Sequence, residues 1–331
     1  MTNNQMNPRS LANFIRMAGE IACLLEVSAT PKPGNVHRLR DFKDVRFEDF
    51  LAAGVTLGPW LEKLSLQGKN IREKKINWQE LSLGKHIKEA IKHSSLFHRK
   101  TNTNLGIILL LCPLSVAAGY SGSSIPITNE TFLPVLSPAE LRTAVQKVLI
   151  NSTVADAVHV SEGIRLRSPG GLQKVPKYDL NNNHLIEELE KDEITLFELM
   201  KECQKRDNIC LELGEFYPIT FNIGLPTLHK TFESCQDINL AIIQAYLTIM
   251  QTYPDTFVAR MASHKKAVEL GKQAGEILQQ GGSLTVNGRR LLEEFDIMLQ
   301  ENDQKINPGT TADLTAASLF TFLLTGGKIS I

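Results

Sequence analysis

Apolar side chains recur every three or four residues, and this spacing most limits what the chain can fold into. From Leu11 to Leu25 it is the spacing of one buried helix face, and Pro31 and Gly34 then end the helix. A short helix is predicted to restart at Phe47. No run alternates apolar and polar residues over strand length between two turns, so the pattern predicts an all-α fold. Similar stripes occupy residues 238–249, 258–277, 291–299 and 311–324.

The chain is long enough for two domains, but nothing in it marks a boundary between them. It has 331 residues, of which 42% are hydrophobic, so it can bury a large core without metal or disulfides. The polar stretches 67–80 and 177–193 read as surface excursions and lack the composition of a flexible linker. We therefore expect one domain over residues 1–331, built as a multi-helix bundle.

Net charge and sorting signals limit which classes of partner and which cellular location the sequence predicts. The 36 basic and 36 acidic side chains cancel, which argues against a nucleic-acid or membrane-surface binder. The N-terminus lacks a signal-peptide core, and the apolar stretch 105–118 is too short to span a bilayer, so we predict a buried helix there. These features favour a cytoplasmic protein, and a homodimer is the assembly that we consider for it. Five cysteines without a CxxC pair are expected to be reduced core residues: Cys23, Cys112, Cys203, Cys210 and Cys235.

Common catalytic motifs are absent from the sequence. There is no Walker A loop, no GxGxxG after a strand, no HExxH, no GxSxG and no Cys/His zinc spacing. A nucleotide would therefore need a scaffold other than a P-loop or Rossmann framework.

A rigid Pro/Gly turn follows the first helix and is rich in polar side chains. Glu26 lies near the end of that helix, and the turn can hold polar groups against an anionic ligand. A plain helix stop with solvated charges is the alternative interpretation. The candidate ligand-binding side chains of the turn are Lys32, Asn35, His37 and Arg38.

Two further segments place polar side chains at helix starts. Asn102, Thr103 and Asn104 precede the apolar helix, where one of them suffices as a cap and the others could meet a ribose or phosphate. Asp255 is the expected N-cap of a helix that carries Arg260. Both side chains could also contact a ligand. The alternative is that Asp255 only caps the helix and Arg260 is a surface arginine.

A last segment, residues 307–317, is a turn that feeds an apolar helix. Asp313 lies near the start of that helix, where it could complement the helix dipole. Because the rest of the helix is apolar, Asp313 is also expected near the interior, where a carboxylate must be paired or metal-bound. Helix ends gathered at one end of the bundle would form a polar pocket.

Together these segments resemble the triphosphoribosyl-dephospho-CoA synthase family. The chain differs from the citrate-lyase members at Asn104-Leu105, where they carry His-Lys, and is similar to a divergent, archaeal-type branch. The resemblance implies an all-α transferase that joins the ribose of ATP to a ribose hydroxyl of dephospho-CoA, with adenine leaving. The matching segments, in the family's order, are TPKPGNVHR (30–38), TNTNLG (101–106), SPGGL (168–172), DTFVAR (255–260) and NPGTTADLTAAS (307–318).

The chemistry of that reaction suggests roles for the candidate residues. Positive charge develops at the anomeric carbon, and a carboxylate must take the proton of the acceptor hydroxyl. Glu26 and Asp313 are the candidate catalytic carboxylates, and Asp255 with Asp313 the candidate Mg²⁺ ligands, since a triphosphate needs Mg²⁺ and basic groups. Substrate contacts are expected from Lys32, Asn35, His37, Arg38, Asn102, Thr103, Asn104 and Arg260.

Two other functions stay open at this stage. The same pocket could serve an N-glycosidic hydrolase or a phosphoribosyl transferase acting on another nucleotide. A helical protein that binds a nucleotide without turnover is the non-enzymatic alternative.

Overall fold

A computed structural model describes residues 8–97, 103–122, 135–300 and 306–329, with side chains from residue 11 onward. The described residues are helical and contain no strand beyond an isolated bridge between His37 and Arg40, which confirms the all-α prediction. The helices are α1 Pro8–Ser28, α2 Phe47–Arg72, α3 Leu83–His93, α4 Leu105–Gly122, α5 Pro138–Ile150, α6 Val154–Arg167, α7 Leu185–Lys191, α8 Leu196–Cys203, α9 Asn208–Gly214, α10 Leu225–Cys235, α11 Ile238–Thr252, α12 Thr256–Met261, α13 His264–Gln279, α14 Val286–Gln300 and α15 Gly309–Leu324.

Helix α4 lies at the centre of the bundle. It packs against α1, α2, α5 and α15, and Gly68 and Gly119 let α2 approach it closely, because a Cβ at Gly119 would lie 1.9 Å from the Ser65 carbonyl oxygen. Among the described residues α4 alone is long and apolar enough to cross a membrane, yet 89% of that span is buried within the protein. This is the buried helix that the sequence predicts for residues 105–118.

One hydrophobic core runs through the bundle, from Leu11 in α1 to Leu324 in α15. The single-domain organisation stays a prediction. The core brings the N-termini of α4 and α15 and the C-terminus of α1 close together, and the candidate site lies there.

Two helical regions differ from the sequence prediction. Helix α2 spans 26 residues and ends at Arg72, so it is long where a short helix was expected, and it takes in the first part of the expected surface stretch 67–80. The stripe at 258–277 divides into α12 and α13, because Ser263 caps a new helix by accepting a hydrogen bond from the Lys266 N–H. Apolar periodicity continued across that break and concealed it.

Candidate active site

The turn after α1 is buried inside the bundle. Gly34 adopts φ 72°, and a Cβ there would lie 2.9 Å from the Ile306 carbonyl oxygen. The Tyr246 hydroxyl donates to the Pro33 carbonyl at 2.9 Å. The Gly34 N–H donates to Asp296 Oδ1 at 3.2 Å. The turn is therefore held by α11, α14 and the segment before α15, and it is not a solvated stop.

Glu26 and Lys32 form a buried ion pair across this turn. Lys32 is fully buried and donates from Nζ to the Glu26 carboxylate and, at 2.9 Å, to the Glu26 carbonyl oxygen. Burial raises the pKa of Glu26 and lowers the pKa of Lys32, and each partner opposes the shift of the other. A buried glutamate with a raised pKa is a stronger base near neutral pH than an exposed one.

Asp313 lies where α15 meets the start of α4. A Cβ at Gly106 would come within 2.1 Å of Asp313 Oδ2, so the glycine makes room for this carboxylate. Burial raises the pKa of Asp313 well above its ordinary range, and the nearby carboxylates, Glu26 first, raise it further, whereas the Ile107 N–H lowers it. A cation bound beside Asp313 would offset the electrostatic repulsion among these carboxylates.

Asn104 has an unusual backbone and an unpartnered side chain. Its φ is 59°, a left-handed conformation that asparagine tolerates better than most residues. The side chain is only 5% exposed, and its Nδ2 has no hydrogen-bond partner among the described residues. A buried amide without a partner is costly unless a ligand supplies one.

Helix α12 carries one structural and one cavity-facing residue of its motif. Asp255 caps the helix by accepting from the Val258 N–H at 2.8 Å, as predicted, and also accepts from the Thr311 N–H at 2.7 Å and hydroxyl at 2.8 Å. These bonds hold α15 against α12. Arg260 pairs through Nη1 with Asp207, and its buried Nε has no partner among the described residues.

A cavity of about 710 Å³ opens at this meeting of helix ends. Of the predicted site residues, the structure places Glu26, Asn35, Asn104, Arg260 and Asp313 on its lining. The cavity brings together residues from α1, α12, α15 and the start of α4, and the polar pocket expected at helix ends stays a prediction.

The other predicted residues that the structure describes do not line this cavity. His37 is buried, with Nδ1 3.0 Å from Thr30 Oγ1 and Nε2 3.2 Å from Asp296 Oδ2 in α14, so both ring nitrogens have protein partners. Arg38 is exposed, and Thr103 is buried. Lys32 reaches the site only through Glu26, and Asp255 only through Thr311. Asn102 lies outside the described residues.

The cavity also has a wall that the sequence analysis did not assign. Residues 169–180 pack against α6, where Arg165 Nε donates to the Leu180 carbonyl at 2.8 Å. A Cβ at Gly171 would lie 3.0 Å from Met261 Sδ, so the SPGGL segment also contacts α12. That motif was the only sequence signal for this wall. The unassigned polar lining residues are Ser161, Gln173, Lys177, Asp179, Glu202, Arg206, Asp207, Ser263, His264, Asn307 and Thr310.

The expectation that all five cysteines are reduced is wrong in this structure. Cys203 at the end of α8 and Cys210 in α9 form a disulfide that lines the cavity. The turn between the two short helices brings together cysteines seven residues apart, a spacing that matches no redox motif. Cys23, Cys112 and Cys235 are free.

A divalent cation fits the site only with help from a ligand. Within the described part of the chain, no group of three or more His, Cys, Asp or Glu side chains is arranged to hold a metal ion. Mg²⁺ commonly binds through one or two carboxylates together with substrate phosphates. Asp313 lines the cavity, and no hydrogen bond from a lysine or arginine among the described residues occupies its carboxylate, so it suits that mode, whereas Glu26 is paired with Lys32.

Comparison with known proteins gives a consistent set of matches. The family model for ATP:dephospho-CoA triphosphoribosyl transferase matches residues 12–330. A "Probable 2-(5''-triphosphoribosyl)-3'-dephosphocoenzyme-A synthase" from Pseudomonas fluorescens is 34% identical over 108 residues, 33% of this chain and 36% of that protein. Its counterpart from Pseudomonas paraeruginosa is 36% identical over 104 residues, 31% of this chain and 35% of that protein. The aligned part thus spans about a third of the curated relatives.

A solved structure shares the fold. It is a crystal structure from Archaeoglobus fulgidus of a protein assigned as a triphosphoribosyl-dephospho-CoA synthase, and it superposes with a TM-score of 0.58 at 23% sequence identity. The match covers 84% of this chain and 100% of the other. At this identity the likeness concerns the helical architecture.

Proposed function

The chain belongs to the ATP:dephospho-CoA triphosphoribosyl transferase family, and from this premise we propose that it transfers the triphosphoribosyl group of ATP to a ribose hydroxyl of dephospho-CoA. The observation that carries the proposal is the convergence of Glu26 and Asp313, from opposite ends of the chain, on one cavity that also exposes the unpartnered amide of Asn104. A hydroxyl and a glycosidic carbon held there would face two carboxylates.

In the proposed reaction Glu26 is the general base. The acceptor hydroxyl oxygen forms a bond to C1′ of the ATP ribose, the bond from C1′ to adenine breaks, and the hydroxyl proton passes to Glu26. Adenine leaves with the bonding electron pair and takes up a proton from solvent, to which Glu26 later returns its own, while the triphosphate stays on the ribose. The raised pKa of Glu26 supports this role, and Lys32 keeps the carboxylate in one orientation.

The carboxylates also stabilise the transition state. Positive charge builds at C1′ as adenine departs, and a carboxylate in a water-poor site lowers the energy of that charge. Asp313, beside the start of α4, is placed to contact the ribose or a cation on the triphosphate. When bound, Mg²⁺ would neutralise phosphate charge, with Asp313 as its protein ligand. For Asp255, predicted as a second ligand, the hydrogen bonds favour a positioning role.

The remaining cavity residues supply polar contacts in this proposal. Asn104 donates from its free Nδ2, and Arg260 from its free Nε. Asn35 Nδ2 donates to Asn307 Oδ1 at 3.0 Å, and both residues line the cavity. ATP and dephospho-CoA as the substrates, a cytoplasmic location and a homodimer belong to the same proposal.

Adenine release from ATP tests the proposed function. Purified protein is incubated with MgATP, with and without dephospho-CoA, and free adenine is separated by chromatography. We expect release only when dephospho-CoA is present, with a product mass equal to that of dephospho-CoA plus the triphosphoribosyl group. Release without an acceptor would indicate hydrolysis instead, and tight binding of MgATP without release would indicate a non-catalytic nucleotide-binding protein.

A further inference from the structure

The cavity has two chemically different ends. One end carries Glu26, Asn104 and Asp313 and serves the proposed transfer. The other end, here called the aliphatic chamber, lies between α6, α8, α9 and the segment 169–180. Its apolar side chains, which the proposed reaction does not use, are Ile164, Leu172, Val175, Leu199, Met200 and Ile209. The same elements also contribute Gln173, Tyr178 and Glu202 to the lining.

One polar atom of this wall is unpartnered. Ser161 in α6 lines the cavity, is fully buried, and its Oγ has no hydrogen-bond partner among the described residues. Other helical serines donate to a carbonyl three or four residues back, as Ser318 does to Leu314 at 2.8 Å, although the buried Ser115 Oγ in α4 also has no partner among the described residues. Ser161 does not, so its hydroxyl is available to a polar group within an otherwise apolar ligand.

Arg260 connects the two ends of the cavity. Arg260 lies in α12, the helix that Asp255 caps. Asp255 also accepts a hydrogen bond from Thr311, which lies two residues before Asp313. The Arg260 guanidinium pairs with Asp207, which caps α9, and Ile209 of the chamber lies in the first turn of α9. Arg206, which also lines the cavity, adjoins Asp207. From one end of the cavity to the other, the lining groups are thus carboxylates, then arginines, then the apolar side chains of the aliphatic chamber.

Dephospho-CoA has its chemical groups in the same order. A ribose with free hydroxyls is followed by a diphosphate, and then by an uncharged arm of methyl, methylene and amide groups that ends in a thiol. Bases bind by stacking on aromatic rings. Phe257, an aromatic lining residue, lies at the other end, beside Gly309 at the start of α15, whereas Tyr178 lies in the segment 169–180 and donates its hydroxyl to Asp192 at 3.1 Å. The aliphatic and thioether side chains of the chamber outnumber this one ring, so its lining suits an aliphatic arm.

We propose that the aliphatic chamber binds the uncharged arm of the acceptor, with Ser161 hydrogen-bonded to an amide of that arm. The proposal rests on the proposed function, because it takes dephospho-CoA as the acceptor. The whole cavity, about 710 Å³, lies in the upper part of the range of ordinary ligand pockets, about 300–1,000 Å³. Binding of the arm in the aliphatic chamber would make the arm, as well as the reacting ribose, a determinant of which acceptor the protein uses.

Binding measurements on matched variants test the chamber. Dephospho-CoA and ADP, which lacks the arm, are titrated separately by calorimetry into the wild type, Ser161→Ala, Ile164→Trp and Leu166→Trp. Leu166 is the control, since it lies on the same helix, is 56% exposed and does not line the cavity. We expect Ile164→Trp to weaken dephospho-CoA at least tenfold and ADP less than twofold. Ser161→Ala should weaken dephospho-CoA alone, about threefold, and Leu166→Trp neither ligand.

The outcomes separate the chamber from the reaction. Equal weakening of both ligands by Ile164→Trp, no weakening of either, or a wild type that binds ADP as tightly as dephospho-CoA would overturn the chamber. Selective weakening of dephospho-CoA by Ile164→Trp would support it even if the wild type released no adenine, a result that would contradict only the proposed transfer.

Discussion

Glu26 and Glu212 are both buried carboxylates, but their surroundings differ in kind. Glu26 is 3% exposed, pairs with Lys32 and lines the cavity. Glu212 in α9 is fully buried and accepts hydrogen bonds from the Ile219 N–H at 2.5 Å and the Thr220 hydroxyl at 2.5 Å. It does not line the cavity. Burial alone therefore does not identify a catalytic carboxylate in this protein.

The partners of each carboxylate explain the difference. Glu212 ties α9 to the short π-helix Thr220–Gly224, and burial raises its pKa to about 7 although these hydrogen bonds oppose the shift. Glu26 has a lysine on one side and a cavity on the other, so it can exchange a proton with a ligand. A buried carboxylate that faces backbone donors is structural, and one that faces a cavity is available for chemistry.

The largest effect is expected at Glu26. Glu26→Gln removes the proposed base and should lower the rate of adenine release by about 10²–10⁴-fold. It also leaves Lys32 without its counter-charge, which should cost about 3–5 kcal/mol of stability. The double variant Glu26→Gln/Lys32→Met removes both charges, so thermal unfolding should show most of the stability restored while activity stays low. Recovery of activity in the double variant would remove Glu26 from the mechanism.

Glu212 should instead govern how stability depends on pH. Its pKa is about 7 in the folded protein, against an ordinary value of 4.5. Below pH 4.5 both states are protonated. Between the two values only the unfolded state releases the proton, so stability falls as pH rises, by up to about 3 kcal/mol. Glu212→Gln should flatten this fall in denaturant titrations across that interval, with activity near neutral pH little changed. An unaltered slope would contradict the assignment.

His37 offers a smaller and purely structural test within the motif turn. His37→Ala removes the contacts to Thr30 and Asp296. We expect a loss of about 1–3 kcal/mol of stability, because buried polar groups lose their partners. The affinity for MgATP, measured by calorimetry below the unfolding transition, should change less than twofold. A large loss of affinity with unchanged stability would place His37 at the ligand after all.

Asn104 should show the opposite behaviour, with the smallest effect. Asn104→Gly removes the unpartnered amide and suits the φ of 59°. The melting temperature should move by no more than about 2 °C, whereas the affinity for MgATP should fall about fivefold, near 1 kcal/mol. Unchanged affinity would exclude a nucleotide contact from this side chain.

The sequence predicted the helical fold, and it pointed to helix ends that line the cavity, because both inferences depend on local patterns. Apolar periodicity located α1, α11, α14 and α15. Polar groups at helix ends indicated where a pocket would form. Each of these signals is carried by residues that lie only a few positions apart along the chain.

The division of labour among the motif residues could not be predicted from the sequence. His37 and Asn104 look alike as polar side chains in polar turns, and only the three-dimensional packing places Asp296 against one and a cavity against the other. Ser161 lies in an ordinary helical stretch, so no local pattern distinguishes it. The disulfide between Cys203 and Cys210 depends on a turn that the spacing does not reveal.

The most direct measurement compares two variants of neighbouring carboxylates. Asp313→Asn alters the carboxylate that we propose contacts the ligand, and Asp255→Asn alters the one that we propose is structural. Calorimetric titration with MgATP and thermal unfolding without ligand are carried out on both. For Asp313→Asn we predict at least about tenfold weaker binding, about 1.4 kcal/mol, and a melting temperature that is unchanged or higher. For Asp255→Asn we predict a lower melting temperature, since the bonds to Val258 and Thr311 weaken, with near-normal affinity while folded. Normal MgATP binding by Asp313→Asn, or its loss in a stably folded Asp255→Asn, would contradict the account.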